Sequence, residues 1–496
     1  MALQHRRPDL KMGSETGPQP ALSDGGPGGG WEMDMDVEDP DRAWGQLPKP
    51  SYWLSQPAGP TRAPLEGNVS ADFAIVGGGF TGLWSAIRLA EAVPGARIVV
   101  LEARQVGFGA SGRNGGFAMT MVGRNIHDLV RKVGPAAARR VHLEMVAALG
   151  EIERFCADES IDCQLSHPGI LTVSNGPEQD VRIEQDLRAA RLCGLDDFRE
   201  VTGPECWEMV RAYGVRRGHF EEHGLLVDPA ALARGLRDAA ERRGVTVFES
   251  TPVTSLDARP YRVQLATARG RVDSRQVLVA TNAYARVVPQ LRRYLFTVCA
   301  YITLSAPLSP EQWARIGWAR RMGIEDKRIM PHFHRPTADG RILWGGRDAP
   351  LLAGPPDPGR DSDPRIFQRL EETFRQTFPQ LSDVRLEHGW GGPVGCTVSC
   401  IPHAGWLARG RVLYALGYSG HGVGPSALMA KVARDLLLGR ETPFTKLPLV
   451  TRRLTPLPPP PLQAKVLELS RRVLQRADDQ GGTRGPLASL ALRLLQ

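Results

Sequence analysis

The sequence predicts an α/β protein built around one βαβ unit near its start. A short apolar run at residues 73–76 is typical of a strand buried on both faces, and it leads into a G-x-G-x-x-G pattern that begins at Gly77. A second apolar strand at Ile98–Leu101 ends in Glu102, about 20 residues beyond the last glycine, where a carboxylate can accept a hydrogen bond from a ribose 2′-OH. Strand, glycines, helix, strand and acid in this order predict a Rossmann-type dinucleotide site.

Each part of the unit has a physical reason. Gly77 permits the tight turn, Gly79 lets the backbone approach a pyrophosphate, and Gly82 lets the following helix lie close to the strand. The helix predicted over 81–92 directs its free N–H groups and positive dipole end at that pyrophosphate. The predicted dinucleotide contacts in this unit are Gly77, Gly78, Gly79, Phe80, Thr81, Gly82, Glu102 and Ala103.

Composition narrows the class of protein. The 496 residues are enough for two or three domains, and 42% hydrophobic with 23% charged residues is typical of a soluble globular chain. The chain contains no run of about 18 apolar residues, so the sequence predicts no membrane span. The net charge of +8 comes from scattered arginines that are not interleaved with aromatic residues, which argues against a nucleic-acid partner.

The cysteines indicate a reducing compartment and no metal. Their number, seven, is odd, they are irregularly spaced, and no export signal follows Arg6-Arg7, so we expect reduced thiols and a cytoplasmic location. Cys396, Cys400 and His403 lie close together, but three ligands without a matching second pair make a poor zinc site.

The loop after Glu102 points to one dinucleotide. It reads ARQVGFGASGRNGG, and a loop so rich in glycine must bring its backbone close to a flat or bulky group. This stretch resembles the E-A-x-x-x-G-x-G-A-S-G-R-N-G-G segment of the FAD-dependent D-amino-acid oxidase-like superfamily, in particular its γ-glutamylputrescine oxidase and glycine oxidase branch. The resemblance implies that the cofactor is FAD and that the loop passes along the flavin. The contacts it implies are Ala110, Ser111, Gly112, Arg113, Asn114, Gly115 and Gly116.

Three later stretches carry the same resemblance. Residues 386–405 resemble the W-x-G-x-x-G-x-T-x-D-x-x-P-x-x-G run near the flavin ring, with Ser399 where the pattern has aspartate. Residues 417–426 resemble a G-H-G-V element before a helix, predicted to begin at Pro425, whose N-terminus would stabilise negative charge on the flavin. The strand that ends in A-T-N near 280 resembles the one under the cofactor phosphates. The further contacts implied are Val253, Ala280, Thr281, Asn282, Trp390, Gly392, Gly420, His421, Gly422 and Val423.

The rest of the chain divides into alternating segments. The resemblance implies a Rossmann-type FAD-binding domain with an inserted α+β substrate domain built on an antiparallel sheet. The predicted segments are a flexible extension at 1–50, FAD-binding parts at 51–125, 226–290 and 386–445, substrate-domain parts at 126–225 and 291–385, and a C-terminal helical tail at 446–496. Periodicity and caps predict helices at 126–157 (broken at Gly134-Pro135), 179–191, 229–244, 425–438 and 463–476, and strands at 169–173, 245–248, 276–283, 296–304, 328–334, 341–345 and 412–416.

The resemblance also implies a pocket, because in that family the antiparallel sheet covers the substrate face of the flavin. Alternation along a strand puts His332 and His334 on one face and Phe333 and Arg335 on the other. Either histidine can instead be structural or solvated. The candidate catalytic residues are Tyr301, His332, His334, Trp390, Tyr418 and His421.

One dinucleotide unit with no second nucleotide domain indicates that an organic substrate itself reduces the flavin. The resemblance implies an amine or amino acid whose C–N bond is oxidised by hydride transfer to flavin N5, with imine hydrolysis and electrons passed to oxygen. Two alternatives stay open: a dehydrogenase that passes electrons to a quinone or carrier, and a flavin-binding protein without turnover. Some relatives activate oxygen with a lysine above the flavin, and the absence of lysine between Lys132 and Lys327 weakens the oxidase reading. Asn114 replaces the histidine of relatives with histidyl-FAD, so we expect non-covalent FAD.

Overall fold

The computed structural model describes residues 51–285, 287–354, 360–479 and 485. The predicted extension at 1–50 lies outside the described residues, as does most of the chain beyond 479. The described chain forms two large mixed sheets with helices packed on them, which confirms the α/β class.

Strands occur throughout the described part of the chain. In chain order they are β1 Gly67–Val76, β2 Ile98–Leu101, β3 Phe117–Ala118, β4 Ile170–Ser174, β5 Phe198–Val201, β6 Arg217–Glu221, β7 Leu225–Leu226, β8 Thr246–Phe248, β9 Ser255–Ala258, β10 Val263–Ala266, β11 Gly270–Val279, β12 Phe296–Ser305, β13 Gly323–Asp326, β14 His332–Pro336, β15 Ile342–Gly346, β16 Leu351–Ala353, β17 Leu386–Cys396, β18 His403–Leu407 and β19 Val412–Leu416.

The helices are concentrated in the connections between strands. In chain order they are α1 Tyr52–Ser55, α2 Phe80–Ala92, α3 Ile126–Val133, α4 Pro135–Asp158, α5 Pro177–Leu192, α6 Gly203–Met209, α7 Pro229–Arg242, α8 Pro289–Arg292, α9 Pro310–Ile316, α10 Pro364–Thr377, α11 Val423–Leu437, α12 Pro448–Thr451 and α13 Pro460–Asp479. No helix within the described ranges is long and apolar enough to cross a bilayer.

The first sheet holds the predicted βαβ unit. Its main path is β18-β19-β11-β1-β2-β8, and β1 pairs in parallel with both β11 and β2. Because β11 also pairs in parallel with β19, the carboxyl ends of these strands meet at one edge. Gly77, Glu102, Ala280 and Gly417 each follow one of these strand ends. Ligands of open parallel sheets bind at such an edge, so the fold brings the predicted cofactor segments together from distant parts of the chain.

The second sheet lies over that edge. Its path is β16-β12-β15-β14-β13-β4-β6-β5, with β17 paired to β12. All its pairings are antiparallel except that of β13 with β4, two strands between which the chain contributes β5, β6 and β12 to the same sheet. One face packs on α10 through Trp344, Phe374 and Phe378, and the other face is turned toward the cofactor edge.

Most elements agree with the sequence predictions. Ile98–Leu101 and Val412–Leu416 have the predicted bounds, and Gly134 separates α3 from α4. Asp228 caps α7 as predicted, since its Oδ1 accepts the N–H groups of Ala230 and Ala231 at 2.9 Å.

Two boundaries are corrected. The strand predicted at 328–334 begins at His332, because Pro331, which has no N–H, precedes it, and a separate strand, β13, was missed. Helix α11 begins at Val423, two residues before Pro425. Strand β17, inside the segment predicted for the FAD-binding domain at 386–445, pairs in the second sheet. The domain division itself stays a prediction.

Candidate active site

A cavity of about 860 Å³ lies between the two sheets. Its floor consists of the loops at the carboxyl edge of the first sheet, and its roof is the second sheet. Most of the predicted cofactor contacts line it: Gly77, Gly79, Phe80, Thr81, Glu102, Ala103, Ala110, Ser111, Arg113, Asn114, Gly115, Val253, Ala280, Thr281, Asn282, Gly392, Gly420, His421, Gly422 and Val423.

The first glycine turn is closely packed. Gly77 has φ +110°, and a Cβ on it would lie 2.8 Å from the Ala280 carbonyl oxygen. A Cβ on Gly79 would lie 2.8 Å from Ser111 Oγ, which accepts the N–H of Phe80 at 3.0 Å. Gly82 does not line the cavity, but a Cβ on it would overlap the Gly77 carbonyl oxygen. The turn therefore requires glycine at Gly77 and Gly82, where backbone oxygens occupy the space, as the dinucleotide motif predicts. At Gly79 a side chain would displace the Ser111 hydroxyl that accepts the N–H of Phe80.

Glu102 is tied to the same turn. Its Oε2 accepts the N–H of Gly78 at 2.7 Å, and its Oε1 accepts the N–H of Arg104 at 3.0 Å. Burial raises the pKa of Glu102 to about 6, although those two N–H groups oppose the shift. Gly78 thus acts behind the cavity wall, where it fixes the carboxylate that we expect to accept ribose hydroxyls.

The raised pKa predicts a pH-dependent affinity. Only the ionised Glu102 can accept from two hydroxyls, so FAD should bind more weakly as the pH falls through about 6, by up to roughly tenfold per pH unit. In the apoprotein the same group favours folding at low pH, a contribution that is lost as the pH rises through its folded pKa. Fluorescence titration of apoprotein with FAD between pH 5 and 8 tests this. Glu102→Gln should bind weakly and show no such slope, and an equal slope in that variant would contradict the assignment.

The loop at 110–116 is fixed by hydrogen bonds within it and by one from a residue outside it. The side-chain amide of Asn114 donates to the carbonyl oxygens of Ala110 and Ser111, and its Oδ1 accepts the N–H of Gly116 at 2.7 Å. From outside, Trp53 Nε1 donates to the Asn114 carbonyl oxygen at 3.0 Å. Asn114 therefore shapes the loop rather than presenting a nucleophile.

Other members of the loop have supporting contacts. Arg113 is buried, donates from Nε to the Phe108 carbonyl oxygen and pairs with Asp361 at 3.5 Å. Gly112 and Gly116 do not line the cavity. Leu54 lies against Gly112, and Gly116, at φ +76°, passes so close to the Val227 carbonyl oxygen that a Cβ would overlap it.

Two strand ends complete the floor. Thr281 lines the cavity, and its Oγ1 is buried without a hydrogen-bond partner. Asn282 adopts φ +44°, and its Oδ1 accepts the N–H of Gly417 at 3.0 Å, which joins the ends of β11 and β19. An unsatisfied hydroxyl in a cavity wall is suited to a polar ligand group such as a phosphate oxygen.

The C-terminal loop closes the cavity around His421 and Tyr418, which both line it. Thr81 Oγ1 donates to the Tyr418 hydroxyl at 2.7 Å, so this loop is bonded to the start of α2. Burial lowers the pKa of His421, which keeps its ring neutral near pH 7. The loop ends at the N-terminus of α11, so the predicted order of a glycine-rich loop followed by a helix is observed.

Four candidate catalytic residues do not line the cavity. On β12, Val298, Ala300 and Ile302 face the cavity, so Tyr301 points to the opposite face, where its hydroxyl donates to the Arg360 carbonyl oxygen. Trp390 donates from Nε1 to the Arg113 carbonyl oxygen and supports the loop from behind.

The two histidines of β14 share the face away from the cavity, whereas Phe333 lines it. His334 stacks on Trp344 with ring centroids 4.4 Å apart, and burial lowers its pKa to about 3. His332 contacts Asp326 at 3.2 Å and also packs near Trp344. Both rings therefore lie where the structural alternative expects them, outside the cavity lining.

Ser399 replaces the aspartate of the resembled pattern without loss of the turn. Its Oγ contacts Thr397 Oγ1 at 3.0 Å and accepts the N–H of Ile401 at 3.3 Å. A serine hydroxyl can serve a local backbone N–H in this way, so the substitution removes a charge but keeps the turn.

Several cavity residues were missed from the sequence. They are polar or charged side chains of the second sheet and its neighbours, and apolar side chains beside the glycine loop, namely Phe108, Phe117, Met119, Met121, Arg124, Asp128, Arg182, Tyr284, Glu325, Lys327, Arg328 and Phe333. The charged run Glu325–Arg328 between apolar residues was the one signal for them. Lys327 Nζ contacts Asp186 at 2.5 Å inside the protein.

The residues present fit FAD. The glycine cradle has no room for a Cβ, Glu102 stands at the expected ribose position, and Thr281 offers an unpartnered hydroxyl. Residues 77–82 and 280–282 would hold the pyrophosphate, and the loops at 110–116 and 420–423 would enclose the flavin.

Comparisons with known proteins agree with this site. The family model described as DAO, FAD dependent oxidoreductase, matches residues 72–436. The chain is 32% identical over 398 residues to the gamma-glutamylputrescine oxidoreductase of Escherichia coli K12, covering 77% of this chain and 88% of that one. It is 22% identical over 381 residues to the glycine oxidase of Bacillus licheniformis, covering 74% and 93%. The crystal structure of glycine oxidase from Geobacillus kaustophilus superposes with TM-score 0.66 at 21% identity, covering 78% and 99%. The chain therefore belongs to the DAO family of FAD-dependent oxidoreductases, as its glycine-rich segments predicted.

Proposed function

We propose that this enzyme oxidises the C–N bond of an amine or amino acid and passes the electrons to oxygen. The observation that carries the proposal is that one cavity combines the dinucleotide cradle with a wall of charged and polar side chains. The names of the similar gamma-glutamylputrescine oxidoreductase and glycine oxidase support the substrate class.

The chain's own residues would bind, orient and exclude water. Met119, Met121 and Phe333 give the cavity an apolar wall that excludes water from the reacting carbon. The N-terminal N–H groups of α11 stabilise negative charge that develops beside residues 420–423. Burial holds His421 neutral, so it can orient the substrate by a hydrogen bond without adding a charge. Bound FAD would supply the two-electron acceptor for the C–H bond next to nitrogen.

The test is spectroscopic. Purified protein should absorb near about 370 and 450 nm, and anaerobic addition of amines and amino acids one at a time should bleach the band with one class. Acid precipitation should leave the yellow colour in the supernatant, because Asn114 occupies the loop position without forming a covalent link. Flavin that no amine or amino acid reduces, although dithionite does, would contradict the proposal.

A second candidate is a dehydrogenase that uses a quinone or protein carrier. Among the described cavity residues Lys327 is the only lysine, and its Nζ pairs with Asp186. Lys327 is therefore not a free cation of the kind that activates oxygen above the flavin ring in some relatives. The two candidates differ in one measurement. If air restores the colour of substrate-reduced enzyme as fast as a redox dye does, the acceptor is oxygen, and a much slower return in air favours the carrier.

A further inference from the structure

Glu325 of strand β13 and Lys327, directly after the end of that strand, place two opposite charges in the cavity roof. Glu325 and Lys327 line the cavity, and a Cβ on Gly323 would meet Phe117, which also lines it, so these alternate residues share the cavity face. Ile324, between Gly323 and Glu325, packs in the apolar core of the opposite face.

The two charges have unequal partners. Lys327 Nζ contacts Asp186 Oδ2 at 2.5 Å, so the carboxylate in contact with the lysine is that of Asp186, and Glu325 attracts the lysine from a greater distance. Glu325 receives one long hydrogen bond, 3.4 Å from Thr172 Oγ1. Within the described ranges, the carboxylate of Glu325 forms no ion pair. Among these three groups, the lysine is thus in contact with one carboxylate, that of Asp186, and the other, that of Glu325, has no cation within ion-pair distance among the described residues.

Burial makes this imbalance consequential. Glu325 is 6% exposed, and a buried carboxylate without a cationic partner is unfavourable unless a ligand supplies the charge. The cavity is the side from which such a ligand arrives, since its other neighbours are the strands β4 and β14.

We propose that Glu325 binds a protonated nitrogen of the substrate and thereby selects cationic amines. This inference rests on the proposed function and specifies its substrate class: a molecule with an ammonium group that can reach β13 while its reacting carbon faces the flavin region. Glu325 is then a specificity-determining residue, and Asp186 is a positioning residue that keeps Lys327 from neutralising it.

The test uses FAD-loaded enzyme and three probes with the same carbon chain, namely butylammonium, butanol and butyrate. Their binding is followed by perturbation of the flavin absorbance. Wild type should bind butylammonium most tightly, and Glu325→Gln should raise its Kd at least about tenfold, the loss typical of a buried charge pair. Butyrate should bind Glu325→Gln no more weakly than wild type, and Glu325→Asp should retain part of the ammonium affinity.

Glu221 provides a matched control. It lies on β6 of the same sheet, is also 6% exposed, and accepts the Thr120 hydroxyl at 2.5 Å, but it does not line the cavity. Glu221→Gln should leave the Kd of butylammonium within twofold of wild type. The inference fails if wild type does not prefer butylammonium to butanol, or if Glu325→Gln binds it as wild type does. Neither result depends on turnover, so a failure of the proposed function, seen as flavin that no amine reduces, is distinguishable.

Discussion

Gly82→Ala should abolish FAD binding and lower the free energy of unfolding by at least about 3 kcal/mol. Alanine at an interior helix position normally gains about 1 kcal/mol over glycine from propensity alone. Here the added Cβ would overlap the Gly77 carbonyl oxygen and lie 3.2 Å from Ile75 Cγ2, so α2 must move away from β1. Steric overlap with backbone outweighs propensity, and the cradle loses its shape. Urea unfolding and absorbance near 450 nm measure the two effects.

Gly59→Ala is the matched control. Gly59 is exposed, and a Cβ on it meets no atom within 4 Å. The free energy of unfolding and the FAD affinity of this variant should therefore equal those of wild type. A Gly82→Ala protein as stable as wild type and fully yellow would show that the helix does not need close approach at this point.

Trp53→Ala should destabilise the protein by about 3–5 kcal/mol and weaken FAD binding. The Trp53 side chain is 1% exposed, packs edge-on against Trp390, and lies under the guanidinium of Arg335, whose Cζ is 5.2 Å from the ring. Its indole also holds the carbonyl oxygen of Asn114, so its loss frees the loop along the flavin. The measurements are the free energy of unfolding of the apoprotein and the Kd of FAD.

Two further variants separate packing from hydrogen bonding. Trp53→Phe keeps much of the volume but loses the indole donor, so it should recover most of the stability and lack about 1 kcal/mol. Trp207 is 43% exposed and contacts Tyr213, and Trp207→Ala should change neither quantity by much. If Trp53→Ala lowered stability but left the FAD affinity unchanged, the segment at 51–55 would support the fold alone.

The cofactor half of the site follows closely from the sequence. Gly77, Gly79 and Gly82 are dictated by local geometry, and the strands β1 and β2 on either side are apolar enough to be recognised alone. The parallel register then brings the end of β11 beside β1, which explains why Thr281 and Asn282, the contacts implied by the resemblance, line the cavity.

The substrate half does not follow in the same way. The alternation of side chains along a strand assigns the residues of β12 and β14 to two faces. It does not predict which face lines the cavity, because both faces are buried. Tyr301 and His334 therefore pack against the core under α10, while Ile302 and Phe333 line the cavity. Strand β13 was missed because its charged side chains, Glu325 and Asp326, are buried by tertiary contacts that no local pattern shows.

The hydrogen bond from Thr81 to Tyr418 joins two residues that are 337 positions apart. During synthesis, at roughly 5–20 residues per second, the glycine turn would leave the ribosome on the order of half a minute before the loop that closes over it. Until then β19 is not in place beside β11 at the carboxyl edge of the first sheet. The nascent chain therefore has the sequence motif of the cofactor site but not the loops that enclose the cofactor. We therefore expect FAD to join late, so that a chain interrupted before residue 417 contains the motif and captures no cofactor.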